Sequence, residues 1–334
     1  MFSATAATNG MLIATGNSDW TISGNSIYQT ASRTHTTAAT HTGINISTNT
    51  VNNMSITNNY IGGTAVNAGG TAYTIGGTVA NRYRAISLTV GTTTASSVQG
   101  NTIANFNFTS SSGATTAGGP WTGIYVSAGN VNIGTSTGNT IGAATGTGSI
   151  VATTTTTAGI SSGIYIDGGT IHNIANNIIG SINTAGSTTS VSHGFTGIHV
   201  ASSTTPTIYN NTIGSTSTAN SINSITASTN ASVPVVTGIL QAGSGTARIY
   251  GNTVANLNSA YVPATSTAAI MRGIYASSGI DSIAGNTVRN MTCATASTGS
   301  GNTASITGIG NFSGTAGANW IRGNTVHSLV SSNN

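Results

Sequence analysis

GIYVSAGNVNIGTSTGNTIG, residues 123–142, is the stretch that decides the fold. A small residue opens it, Ile124 and Val126 alternate with other residues, and a Gly-Asn pair at 138–139 precedes Ile141. The same order returns as GIYIDGGTIHNIANNIIG at 163–180 and as GIHVASSTTPTIYNNTIG at 197–214. Followed outward in both directions, the unit occurs nine times. Its small anchor falls at Gly10, Gly43, Ala85, Gly123, Gly163, Gly197, Gly238, Gly273 and Gly308. Its asparagine falls at Asn25, Asn59, Asn101, Asn139, Asn177, Asn211, Asn252, Asn286 and Asn324. Anchor to Asn is a step of 13 to 16 residues, and Asn to the next anchor one of 18 to 27. One part of each repeat is fixed in length and the other varies.

Self-similarity at such a period is the mark of a repeat architecture. The residue before each Asn is Gly or Asn, the two types that most easily accept positive φ. Two places after it stands Ile or Val in all nine repeats, and three places before it an apolar residue in all but the fourth, which has Ser136. The pattern predicts strand, one-residue left-handed bend, strand. About three short strands per repeat cannot bury their own apolar face, so the repeats must stack. In a parallel stack equivalent positions lie about 4.8 Å apart. The Ile and Val positions then form internal columns, and the nine Asn form a ladder whose amides hydrogen-bond from turn to turn.

Composition agrees. Lys and Glu are absent, and charged residues make up 3% of the chain where about a quarter is usual. Hydrophobic residues still make up 37%, and the β-branched Ile, Val and Thr suit a pleated surface. The +4 charge comes from seven dispersed Arg against three Asp, which describes no basic face and predicts no nucleic-acid partner. Cys293 stands alone, so no internal disulfide forms. No apolar run approaches the roughly 18 residues that span a bilayer; membrane insertion is not expected. The N-terminal segment lacks the basic start of a signal peptide, and neither a capping helix nor a polar terminal repeat is evident.

The GIYV…NNTI signature resembles the right-handed parallel β-helix repeats of the pectin-lyase-like superfamily, over residues 9–330. Repeat and composition are also similar to the Thr/Ser/Asn-rich β-helical regions of large secreted bacterial surface proteins. The resemblance implies a right-handed parallel β-helix, and polysaccharide cleavage as the natural enzymatic reading. It departs from the family in repeat length: 33 to 42 residues between anchors is long for one turn. We expect one turn with an excursion in the variable part, two turns per repeat being the alternative.

The residues for that chemistry are scarce. Glycoside hydrolysis requires two carboxyls within about 10 Å, whereas Asp19, Asp167 and Asp281 fall in repeats one, five and eight. His35 with His41, and His193 with His199, share a six-residue spacing; outward polar positions are the favoured reading over a metal or pH-sensing pair. His172 and His327 read as solvent-side. No Ser has a base and acid in a nucleophile arrangement. Trp121 is the candidate glycan contact, and Trp20 and Trp320 either contact glycans or shield the two ends. Thr runs such as 153–157 lie in the variable part, which speaks against an ice-binding face.

The sequence therefore predicts an all-β, right-handed parallel β-helix of about nine repeats, a single solenoid domain over 1–334, with no catalytic residues, metal or cofactor. The expected role is an extracellular or cell-surface structural protein that polymerises with itself by end-to-end stacking. The alternative is a carbohydrate-binding or adhesive module; ice binding and polysaccharide lyase activity rank lower.

Overall fold

Short β-branched segments broken by left-handed bends wind into a parallel β-solenoid. The computed structural model describes residues 5–16, 18–113, 118–186, 191–202, 204–225, 234–260, 270–294 and 300–331. Each repeat makes one turn. All strand pairings are parallel, and three sheets run the length of the molecule.

The first sheet holds nine strands, from Thr8–Ile13 to Ile306–Asn311, each carrying a small anchor residue. The second also holds nine, from Thr21–Ser23 to Trp320–Arg322. The third has fifteen, because most turns contribute two segments, such as Thr140–Gly142 and Ile150–Thr154. The second of these segments comes from the variable part, so the excursion is a further strand of the wall. In the last three turns the two segments fuse, as in Thr253–Ser259. The count of about nine repeats is approximate: among the described residues the first and last turns have a neighbour on one side only, leaving seven interior turns.

Registers hold the equivalences. Ile44 pairs with Ile86, Ile124 with Ile164 and Ile198 with Ile239 in the first sheet, and Ile103 pairs with Ile141 in the third. Ile61, Ile103, Ile141, Ile179, Ile213, Val254 and Val288 are all fully buried. Pairing skips each anchor: Thr122 faces Ser162 and Ile124 faces Ile164. The strand bends there, and residues on both sides of the anchor turn inward. A Cβ on Gly197 would lie 2.5 Å from the Gly238 carbonyl oxygen, which explains why the anchor is small.

The bend before the asparagine has positive φ in eight repeats: Gly24, Asn58, Gly100, Asn176, Asn210, Gly251, Gly285 and Gly323. The fourth repeat is the exception. Its second-sheet strand ends at Ile133, which pairs with Ile174, so Ile133 fills the place that Ser136 does not. Residues 134–138 form an insertion held by Gln99, whose Nε2 donates to Asn132 O and whose Oε1 accepts from Ser136 N. A second left-handed bend lies four residues after the asparagine, at Asn105, Ser181, Asn256, Asn290 and Ser328.

Candidate functional site

The nine asparagines lie in one file. Each donates its backbone N–H and its side-chain Nδ2 to the Oδ1 of the next: Asn59 reaches Asn101 at 3.0 and 3.0 Å, and Asn177 reaches Asn211 at 3.0 and 2.9 Å. The remaining Nδ2 hydrogen goes back to the preceding turn, as from Asn177 to Ile133 O at 3.1 Å. Asn59, Asn101, Asn139 and Asn177 are fully buried, so this is a satisfied polar network inside the wall. The file is directional. Among the described residues Asn25 Oδ1 accepts nothing, and Asn324, which donates to Ile283 O, meets no further Oδ1.

Several predicted side chains sit elsewhere than expected. Trp121 is fully buried against Phe106, ring centres 5.8 Å apart, in a core cluster with Tyr73 and Tyr83; it is no glycan contact. The outward reading of His35, His41, His172 and His193 needs the same correction. His35 and His41 are buried with rings 3.9 Å apart, and His41 Nδ1 is 2.9 Å from Thr8 Oγ1. His172 is buried with Nε2 bonded to Gly168 O at 3.0 Å. His193 is inside and His199 is on the outer face, so their common spacing pairs nothing. The physical reason is the bend at the anchor, which breaks strict alternation: Phe195 and Ile198, three apart, are both in the core. His327 is exposed, as are Trp20 and Trp320 on the first and last turns.

His193 Nε2 lies 2.9 Å from Ser161 Oγ, but both residues are in the core, at 0% exposure, where no substrate reaches them. Burial holds His193 near 4, as it does His41, His172 and His199. Asp281 points inward from the eighth turn with neither oxygen meeting a donor among the described residues, and burial pushes its carboxyl up to about 6.

The outer face of the first sheet carries a mixed cluster. Arg84 lies over the Tyr125 ring at 3.6 Å, Tyr125 donates its hydroxyl to Asp167 at 2.8 Å, and Tyr165 stacks on Tyr125 and meets His199 edge-on. Burial and then the Asp167 bond push the Tyr125 hydroxyl up to about 12. At neutral pH tyrosine and histidine are thus uncharged, while guanidinium and carboxylate flank one ring. This is a charge-balanced clasp across three turns. Asp19, Asp167 and Asp281 remain in turns one, five and eight.

The most unusual surfaces are the two end turns. At one end Leu12 and Trp20 are exposed; a hollow of about 260 Å³ is lined by Gly10, Met11, Ser26 and Ile27. At the other, Phe312, Trp320, Ile321, Val326 and Val330 are 41–51% exposed, and a hollow of about 450 Å³ is lined by Gly308, Ile309, Ile321, Asn324 and Val326. Met11, Ile27, Ile309, Ile321 and Val326 stand in inward columns, in register with Ile44, Ile61, Ile274, Ile283 and Val288, and face the hollows because no turn covers them among the described residues; Leu12, Trp320 and Val330 continue outward columns, in register with Asn45, Ser282 and Thr292. Compared with family models, curated proteins and solved structures, the chain matches none.

Proposed function

We propose that this chain is an extracellular structural protein, a subunit that stacks end to end into a filament or surface fibre. The end turns carry this reading: they present apolar columns and unpaired strand edges, the surfaces that inside the molecule bind the next turn. A head-to-tail contact of this kind does not close on itself and so grows as a fibre. Charged residues at 3% of the chain, with a net charge of +4, offer little to oppose association. The separation of the three Asp supports a non-enzymatic role, and the likeness to secreted β-helical surface proteins supports the location. Electron microscopy and sedimentation of the purified chain test the proposal. Filaments of the solenoid's width, increasing with concentration, are expected; a monodisperse monomer at all concentrations refutes it.

A second, adhesive reading rests on one observation. Tyr209 and Tyr250 stack at 5.2 Å on the outer face of the second sheet, Tyr250 being 42% exposed, beside exposed Arg248. Glycan-array binding lost in Tyr250→Ala would support it, with Trp121 playing no part.

A further inference from the structure

The filament reading leaves open the register and the bonds with which two subunits meet, and the asparagine file bears on both. Resting on that reading, we propose that the joint is polar and in a single register, the last turn of one copy seating on the first turn of the next as though it were the following turn of the same solenoid. Asn324 of one copy then donates N–H and Nδ2 to Asn25 Oδ1 of the next, and Asn25 Nδ2 returns to Ile321 O.

Three observations carry this. Every interior step uses the same set of bonds; at the last step Asn286 donates to Asn324 Oδ1 at 2.8 and 3.0 Å while Asn324 donates back to Ile283 O. The ends lack complementary halves of that set: a free acceptor on Asn25, free donors on Asn324. Backbone polarity agrees, since Tyr60 N–H donates to Asn25 O and Thr325 N–H to Asn286 O, so Ser26 N–H of the next copy faces Asn324 O. The two hollows are also lined by equivalent positions, Gly10 with Gly308, Met11 with Ile309 and Ile27 with Val326. They are the two sides of one missing interface, continuous in kind with the turn-to-turn contact of the interior. A symmetric joint leaves the file unsatisfied: two last turns would set the Asn324 donors against each other, and two first turns the Asn25 Oδ1 acceptors.

The test blocks one face at a time. Met11→Lys places a charge on the first-turn face and Val326→Lys one on the last-turn face. A polar joint needs one face of each kind, so each variant alone is monomeric and an equimolar mixture sediments as a one-to-one dimer that grows no further. Dimers of either variant alone indicate a symmetric joint and overturn the proposal. So does a mixture that stays monomeric while the unaltered chain forms filaments. An unaltered chain that never assembles overturns the filament reading itself. Circular dichroism of each variant checks that the β-solenoid is intact. Asn324→Asp, which keeps size but turns a carboxylate toward Asn25 Oδ1, gives a second arm. It should raise the concentration needed for assembly at least tenfold, while Asn49→Asp on the exposed side wall leaves it unchanged; equal behaviour of the two overturns the role given to the file.

Discussion

At the residue scale, the asparagine file is a chain of groups with no spare partner. Asn177→Ala strips acceptors from Asn139 N–H and Nδ2, which bond Asn177 Oδ1 at 3.1 and 2.9 Å, and removes the Nδ2 donor from Ile133 O and from Asn211 Oδ1, the latter keeping the backbone N–H of residue 177. Each orphaned buried group costs about 1–3 kcal/mol. Asn25→Ala orphans no donor of an earlier turn and sits half-buried. Unfolding in denaturant should therefore show Asn177→Ala several kcal/mol less stable, and Asn25→Ala within about 1 kcal/mol of the parent. The ladder was legible in the sequence because Asn alone combines a positive-φ neighbourhood with a side chain that donates and accepts along one line. The buried Trp121 and His193 were not legible, because a period-two reading assigns faces and the anchor bend shifts that phase. Titration gives a second prediction. His41, His172, His193 and His199 are held near 4 from 6.5, so the unfolded chain gains protons first on acidification. Their contribution is complete above pH 6.5 and is lost as pH falls toward 4. Asp281, raised from 3.8 to about 6, acts oppositely: its contribution is complete below 3.8 and lost as pH rises through 6. A tenfold change in proton affinity is worth about 1.4 kcal/mol, and all five groups are displaced by similar amounts. Four histidines then outweigh one aspartate, so thermal stability should fall between pH 6.5 and 4. Asp281→Asn should be at least as stable as the parent at pH 8, an advantage that vanishes near pH 4.

At the element scale, the bend at the small anchor sets which side chains the first sheet turns inward. A Cβ at Gly197 would lie 2.5 Å from Gly238 O and 2.6 Å from Ile213 Cγ2. Neither atom belongs to a flexible side-chain end. Gly197→Val should cost about 3 kcal/mol by overpacking, read as a lower midpoint in chemical denaturation, whereas Ala85→Gly, at the one anchor that already carries a Cβ, should cost about 1 kcal/mol or less. The strands around anchor and asparagine were legible from the fixed part of the repeat. The extra segment of the third sheet was harder to read, since its register is set by the wall it joins and not by a motif. Its signal was present in part: Asn105, Asn256 and Asn290 stand four residues after the ladder asparagines, and each supplies the second left-handed bend. Ser181 and Ser328 do the same work without the marker, so the residue type alone does not reveal where the second bend occurs.

At the scale of the whole molecule, every strand pairs only with strands of the turns beside it, and just a few loop bonds, such as Ser215 Oγ to Ala144 O and Arg289 to Thr216 O, reach two turns away; stability is therefore close to a sum of neighbour contacts, and the end turns hold half the share of the rest. Ile213 and Val254 in the interior are fully buried, while Val326, in the same column of the last turn, is 43% exposed. Opening of an end turn breaks one interface; opening of an interior turn breaks two. Amide hydrogen exchange measures that difference directly. In dilute solution Thr8–Ile13 and Thr325–Ser331 should exchange fastest, and protection should rise inward to a plateau over the turns that hold Asn101 to Asn211. In assembled material the end turns gain the neighbour they lack, and their amides should slow toward the interior plateau while interior rates stay as they were. Slowing at only one end, or across the outer faces of the sheets, would mean that subunits meet elsewhere than turn on turn.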